Sequence, residues 1–246
     1  MKNKLKVALI GFGKMGKEIN VLCQESGNFE VVSISFKNKN DGLDLEGIKK
    51  ADIAIDFTSP EVVMENIEKV AKLGKNLVIG TTGWYEHLDA TRALANKYKI
   101  GLIYSPNFSI GVNIFLKVVA FSSRLFSKFS DYDVYGLEVH HRGKLDSPSG
   151  TALKISSEIM KNFPAKKSVL NQKANDQIKP EEFHLASLRA GRNPGFHQVV
   201  FDSNADGVTL SHQAHNRTGF AKGALIAADF IKNKKGVYTF EDALKL

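Results

Sequence analysis

Lys6-Val7-Ala8-Leu9-Ile10-Gly11-Phe12-Gly13-Lys14-Met15-Gly16 is the stretch that decides the fold. The apolar run ahead of Gly11 is short and ends on glycine, which reads as a buried strand over residues 6–10. From Lys14 onward, Met15, Ile19 and Leu22 recur at helical spacing, and Gly27 stands where a helix would be capped, predicting a helix over 14–25. The turn between them spells Gly-x-Gly-x-x-Gly, and each glycine has a physical reason. The first permits the tight turn, the second lets backbone approach a pyrophosphate, and the third lets helix pack on strand. First-turn N–H groups then face the negative charge. Gly11, Phe12, Gly13, Lys14, Met15 and Gly16 are therefore the candidate phosphate cradle of a dinucleotide.

Outward from that turn, strands and helices alternate. Strands are expected at 29–36, 51–57, 76–79 and 100–104. Helices are expected from Ser59-Pro60-Glu61, with serine as cap, to near Gly74, and over 85–98. Alternation of this kind means a doubly wound parallel sheet. Ligands in such sheets bind beyond the carboxyl ends of the strands, where Gly80, Thr81 and Thr82 follow the fourth strand and Ser105, Pro106, Asn107 and Phe108 the fifth. These loops are expected to hold the carboxamide of a nicotinamide. The second strand ends in Ser35-Phe36-Lys37-Asn38-Lys39, without the carboxylate that grips the ribose of NAD. Room and charge there, with Lys37 foremost, predict NADPH in preference to NADH, with NADH also accepted.

After residue 109 the pattern changes. A long amphipathic helix over 110–129 precedes strand-like runs at 134–139, 183–189, 196–201 and 207–213, with one helix over 151–162 and a polar loop expected over 164–180. Strands in succession predict an α+β unit with a mostly antiparallel sheet. The expected fold class is α/β: an N-terminal Rossmann-type doubly wound parallel sheet followed by that α+β domain. The dinucleotide-binding domain would span 1–109, with 218–246 and its helix at 219–233 returning to it. The substrate domain would span 110–217.

The 246 residues carry a formal charge of +8 at pH 7, 43% hydrophobic and 24% charged residues, and one cysteine, Cys23. The lysines are scattered, and no helix-turn-helix, zinc-finger or aromatic-basic RNA pattern accompanies them, which argues against nucleic acid as partner. Small polyanions would use the same charge through steering. No stretch approaches the roughly 20 apolar residues needed to span a bilayer. The apolar run after the basic N-terminus is too short for a signal peptide, and a lone cysteine fits a reduced compartment, so cytoplasm is the expected location.

The chemistry concentrates in Glu138-Val139-His140-His141-Arg142-Gly143-Lys144-Leu145-Asp146-Ser147-Pro148-Ser149-Gly150-Thr151-Ala152. An imidazole titrating near about 6.5 suits proton transfer at neutral pH. A lysine ammonium stabilises developing negative charge or donates a proton. Gly143 permits the turn that would bring His140 and Lys144 together. Ser149, Gly150 and Thr151 open a helix whose free N–H groups and hydroxyls form a carboxylate cradle, although Ser149 is equally suited to an ordinary N-cap. Arg189 either supplies charge near this site or is an exposed strand arginine. His87, His184, His197, His212 and His215 show no metal-ligand spacing, and no metal is expected.

These segments occur in a fixed order together with Asp56-Phe57-Thr58-Ser59-Pro60-Glu61, Gly80-Thr81-Thr82-Gly83, residues 107–113 and Phe220-Ala221-Lys222-Gly223-Ala224. The chain thereby resembles the 4-hydroxy-tetrahydrodipicolinate reductase (dihydrodipicolinate reductase) family over nearly its whole length. The resemblance implies NAD(P)H-dependent reduction of 4-hydroxy-tetrahydrodipicolinate to tetrahydrodipicolinate in the diaminopimelate route to lysine. It also implies that His140 is the proton donor, that Lys144 is the second catalytic group and that His141 contacts substrate. Gly150 and Thr151 would bind a substrate carboxylate. A homotetramer built on the second domain's sheet follows by the same analogy. Lys14 stands where the family often has arginine, and Phe36 where an acid commonly holds the ribose. A non-catalytic dinucleotide sensor would not need to keep both His140 and Lys144. An amino-acid dehydrogenase would leave the His-His-Arg-x-Lys and Ser-Gly-Thr combination unexplained.

Overall fold

The computed structural model describes residues 4–36, 42–172, 174 and 176–246. They fall into two units, Met1–Ile110 with Arg217–Leu246 and, separately, Gly111–Asn216.

The first unit is built on a six-stranded sheet, all of whose pairs are parallel. Its strands are β1 (Leu5–Ile10), β2 (Phe29–Ser35), β3 (Ile53–Asp56), β4 (Asn76–Ile79), β5 (Gly101–Tyr104) and β11 (Gly236–Thr239), in the order β11-β5-β4-β3-β1-β2. The central strand β3, Ile-Ala-Ile-Asp, is buried at every position, as a strand covered on both faces must be. Helices α1 (Lys14–Ser26), α3 (Pro60–Lys72), α4 (Leu88–Tyr98) and α7 (Thr218–Ile231) supply those covers. Val7, Leu9, Ile55 and Ile103 meet Ile19 and the alanines of α7 on one side, and Ala8, Ile10 and Ile79 meet Val63 and Ile67 on the other. Each such valine, leucine or isoleucine, fully buried, contributes about 1.5–3 kcal/mol.

Helix α1 stops at Gly27, whose φ of 66° is the left-handed cap conformation. Several details depart from expectation. Ser59 occupies the N-cap of α3 but makes no side-chain cap bond. The segment expected as one helix over 85–98 begins as a 3-10 turn, Tyr85–His87. Helix α2 (Leu45–Lys50), capped by the Asp44 side chain on the Gly47 N–H, was not anticipated because it is too short for periodicity to register. Strand β11 and helix α8 (Phe240–Leu244) were likewise unassigned.

The second unit holds α5 (Ile110–Phe126), β6 (Asp133–His140), α6 (Gly150–Asn162), β7 (Ser168–Leu170), β8 (Glu182–Arg189), β9 (Phe196–Asp202) and β10 (Gly207–Gln213). Its sheet runs β10-β9-β6-β8-β7. Strand β9 is antiparallel to both neighbours, and β6, β8 and β7 run parallel. The expected loop over 164–180 thus contains a strand. Its start is pinned by buried Lys166, whose Nζ donates to the Pro180 and Glu182 carbonyls at 2.8 Å and pairs with Asp133. Alternate residues Val134, Phe183, Leu185, Val199 and Phe201 form one buried face against Phe115 and Val119 of α5 and Ala152, Ile155 and Ile159 of α6.

That alternation, carried to the end of β6, is what places the polar groups. Glu138 is cross-strand partner to Ser187 and to His197, His197 is partner to His212, and His140 is partner to Arg189. Cross-strand partners share a face, so a row of titratable side chains continues the core face of the sheet. Among the described residues no helix is long and apolar enough to cross a membrane.

Candidate active site

Glu138 is 0% exposed and takes the position a valine or leucine would hold in an ordinary core strand. Its Oε1 accepts from Arg189 Nη2 at 2.7 Å and from the Ser149 N–H at 3.0 Å. Its Oε2 lies 2.7 Å from His140 Nδ1 and 3.9 Å from His197 Nε2. The carboxylate meets the His140 ring obliquely, as a close ion contact rather than a linear hydrogen bond. Burial pushes the Glu138 carboxyl up, but donation from Ser149 and Arg189 outweighs it and holds the group at about 2.

Burial also pulls His140 below its ordinary value. The Glu138 charge opposes that shift, whereas Lys144 and Arg189 add to it. His197, edge-on to His140 with ring centroids 5.2 Å apart, is pushed down to about 4, mainly by burial and secondarily by His140. Glu138, His140 and His197 are metal-ligand types whose donor atoms lie within 4.8 Å of one another. The carboxylate already carries a guanidinium, however, and the group has the character of a charge network.

The segment after His140 is braced along its length. The Ala190 N–H donates to the His140 carbonyl at 3.0 Å and the His141 N–H to Asn193 at 2.8 Å, while the Lys144 N–H closes a turn on the His141 carbonyl at 3.0 Å. Arg189 Nη2 also donates to the Asp146 carbonyl at 2.6 Å. Lys144 Nζ is held 2.7 Å from Asp146 Oδ1, with its side chain 24% exposed. The structure therefore gathers His140, Lys144 and the start of α6, and answers the question left open for Arg189, which turns onto Glu138. Ser149 is buried. Its Oγ accepts the Ala152 N–H at 3.2 Å as an N-cap and lies 3.3 Å from His197 Nε2, so the hydroxyl expected to face a ligand is occupied inside the fold. Gly150 is exposed, and Thr151 and His141 are half-buried.

In the first unit, the sheet register aligns Ile10 with Asp56, Asp56 with Ile79 and Ile79 with Tyr104, so the loops beyond these residues leave one edge together. Gly11 has φ +92°, and a Cβ there would lie 2.4 Å from the Phe57 carbonyl oxygen. A Cβ on Gly16 would lie 2.2 Å from the Gly11 carbonyl oxygen, the close helix-strand approach the third glycine permits. Gly13, the N-cap of α1, has nothing within 4 Å of its would-be Cβ, and α1 has neither a side-chain cap nor an acidic first turn. Open space against uncapped N–H groups fits a pyrophosphate. Phe12 and Met15 pack partly on the core, and Lys14 is exposed. Lys37 lies outside the described residues.

The first of the expected carboxamide loops, at 80–82, is tied to a buried carboxylate, Asp56. Asp56 Oδ1 accepts the Thr58 N–H and the Thr81 hydroxyl, each at 2.9 Å, and Oδ2 accepts Asn66 Nδ2 at 2.9 Å. Burial pushes its pKa up, against these donors. Thr81 is thus turned inward, while Thr82 is exposed. Gly80 is pressed on Phe57, whose ring would lie 2.1 Å from a Cβ. Ser105 is buried and closes a local turn with the Asn107 carbonyl at 2.9 Å. Pro106 is exposed, and the Phe108 ring is core, 4.9 Å from that of Phe240.

Family models described as dihydrodipicolinate reductase, N-terminus, and dihydrodipicolinate reductase, C-terminus, match residues 5–108 and 111–244. The chain belongs to the dihydrodipicolinate reductase family. It is 34% identical over 241 residues to the 4-hydroxy-tetrahydrodipicolinate reductase of Christiangramia forsetii, covering 98% of each chain. It is 36% identical over 247 residues to that of Methanosarcina acetivorans, covering 98% of this chain and 89% of the relative. A dipicolinate-bound dihydrodipicolinate reductase from Paenisporosarcina sp. TG-14 superposes with a TM-score of 0.78 at 27% identity, covering 98% and 99% of the two chains. A C. glutamicum DAP dehydrogenase, at 14% identity and TM-score 0.55 over 98% and 93%, shares the fold alone. The N-terminal unit of this dihydrodipicolinate reductase family chain is accordingly a dinucleotide-binding domain. Glu138 and His197 carry a signal in the sequence after all, a charged or polar residue in the inward phase of an apolar strand.

Proposed function

We propose that this chain reduces 4-hydroxy-tetrahydrodipicolinate to tetrahydrodipicolinate with NADPH in preference to NADH, in the diaminopimelate route to lysine. The observation that carries the reading is that one buried carboxylate, Glu138, holds both His140 and the N-cap of α6, with Lys144 tied to Asp146 on the loop between them, in a chain matched to the family along its length. A bound reduced nicotinamide supplies the hydride. His140 delivers the accompanying proton, for which an imidazole is suited near neutral pH. Lys144, fixed by Asp146, stabilises negative charge on the ring as it develops. The N–H groups at Gly150 and Thr151 and the Thr151 hydroxyl, at the N-terminus of α6, hold one substrate carboxylate, and His141 contacts the substrate beside them.

The glycine turn, Gly11 to Gly16, holds the pyrophosphate, with the loops at 80–82 and 105–108 placing backbone groups for the carboxamide and Lys37 serving the 2′-phosphate. Preference for NADPH rests on the end of β2, where Ser35 and Phe36 stand in place of an acid. A homotetramer is supported by the sheet face opposite α5 and α6, where Tyr135 and Leu188 are 44% and 51% exposed. On this reading the enzyme works in the cytoplasm. The test is to follow NADPH oxidation with the condensation product of pyruvate and aspartate semialdehyde. Turnover with a lower KM for NADPH than for NADH is expected, and no oxidation above the enzyme-free rate would sink the assignment.

A further inference from the structure

We propose that Glu138 is a positioning residue for His140, its buried carboxylate fixing the imidazole with Nδ1 protonated so that Nε2 is the nitrogen that delivers the proton. The inference rests on the functional reading above and adds to it a residue with no contact to substrate.

The geometry is selective between the two nitrogens. Glu138 Oε2 stands 2.7 Å from Nδ1. A carboxylate only accepts, so the proton of neutral His140 belongs on Nδ1 and Nε2 carries the lone pair, or the transferable proton when the ring is charged. The carboxylate cannot swing away, because Arg189 and the Ser149 N–H fix its other oxygen. Beside Nε2 stands Gly195, whose would-be Cβ lies 3.1 Å from that atom, so the missing side chain keeps space at the delivering nitrogen.

The charges around His140 give Glu138 a second task. Arg189 on β8 and Lys144 on the loop after β6 are cationic, His197 on β9 stays neutral, and burial is the largest influence against a charged imidazole. Glu138 on β6 is the one anion in direct contact with the ring among the described residues. It therefore sustains the protonated donor in surroundings that otherwise drain it. Because Glu138 holds both the donor and the N-cap residue of α6, one side chain sets proton delivery and carboxylate binding in a common frame.

Glu138→Gln isolates the effect. The amide oxygen still accepts from Arg189 and Ser149, which leaves the NH2 group facing His140 Nδ1 and forces the proton onto Nε2. The expected results are a kcat lowered about 10- to 100-fold, at most the lower end of the roughly 10²–10⁴ that a general acid supplies, and a substrate KM within about threefold of wild type. The alkaline fall of kcat should move to lower pH. A merely structural role would instead move KM and thermal stability and leave the pH profile in place. Nitrogen-15 imidazole spectra give a readout independent of turnover, with the His140 signal identified by its loss in His140→Gln. Wild type should show the Nδ1–H form when neutral and Glu138→Gln the Nε2–H form. A wild-type Nε2–H form overturns the proposal even if the variant fails to fold, and so does a variant with unchanged kcat, pH profile and tautomer. Failure of the wild type to turn over the substrate sinks the functional reading instead, while the spectra still decide the role of Glu138.

Discussion

Replacing Gly13 and Gly16 separately by alanine distinguishes a dinucleotide cradle from a plain tight turn. A methyl on Gly13 meets nothing within 4 Å, and the residue's φ of −75° is ordinary for any amino acid. Reduced chain entropy in the unfolded state then stabilises by about 0.4–1 kcal/mol. The weaker N-cap costs a similar amount, so Tm should stay within about 2 °C of wild type. The space that methyl fills is the space a pyrophosphate needs, so the KM for NADPH should rise at least tenfold, which is about 1.4 kcal/mol.

Gly16→Ala differs in kind. Its methyl would sit 2.2 Å from the Gly11 carbonyl oxygen, backbone that can move only by pushing α1 off β1. Overpacking of this sort costs about 1–3 kcal/mol, or a Tm lowered by roughly 3–10 °C, with cofactor binding weakened as well. Calorimetry without ligand and initial rates against NADPH concentration measure the two effects. A Gly13→Ala protein with wild-type KM for NADPH would refute the placement of the dinucleotide. A Gly16→Ala protein with wild-type Tm would refute the packing.

Further outcomes follow from the second unit. His140→Ala should lower kcat by about 10²–10⁴ with little change in substrate KM, whereas Thr151→Ala should chiefly raise that KM; wild-type turnover in His140→Ala would remove its assigned role. Glu138 has an ordinary value of 4.5 and sits at about 2 when folded, so its stabilisation is present above 4.5 and is lost as pH falls toward 2. That loss amounts to roughly 3 kcal/mol, and acid unfolding should be shallower over this range in Glu138→Gln. His197, pushed from 6.5 to about 4, stays neutral through the physiological range and sheds its contribution as pH falls from 6.5 through 4. An imidazole resonance of His197 that titrated near 6.5 would contradict its burial.

Much of this was legible because the chain repeats its signals. Val7 to Gly16 states a strand, a turn and a helix in succession, and Gly27 and Gly74 mark helix ends that the structure keeps, both with φ of 66°. The candidate site was legible as a cluster because His140, Lys144 and the α6 start are local in sequence. What lay hidden is non-local. His197 reaches Glu138 only through strand register, and register is set by pairing over a long loop that periodicity cannot see. The Ser149 hydroxyl was expected outward because cap and cradle use the same residue types, and the choice between them depends on burial by His197. Short elements such as α2, β7 and β11 span too few residues for any period to declare itself.

The return of residues 217–246 to the first unit orders the birth of the molecule. Domains emerging from a ribosome commonly mature from the amino end forward. Here α7 contributes Ala221, Ala224, Ala227, Ala228 and Ile231 to the core of the first unit, and β11 completes its sheet against β5. The segment made first therefore waits on the segment made last, while residues 111–216 are already entire. A nascent chain arrested after Asn216 should resist protease within 111–216 and yield readily before it. Equal protection of both stretches would show that the early strands hold without their late cover.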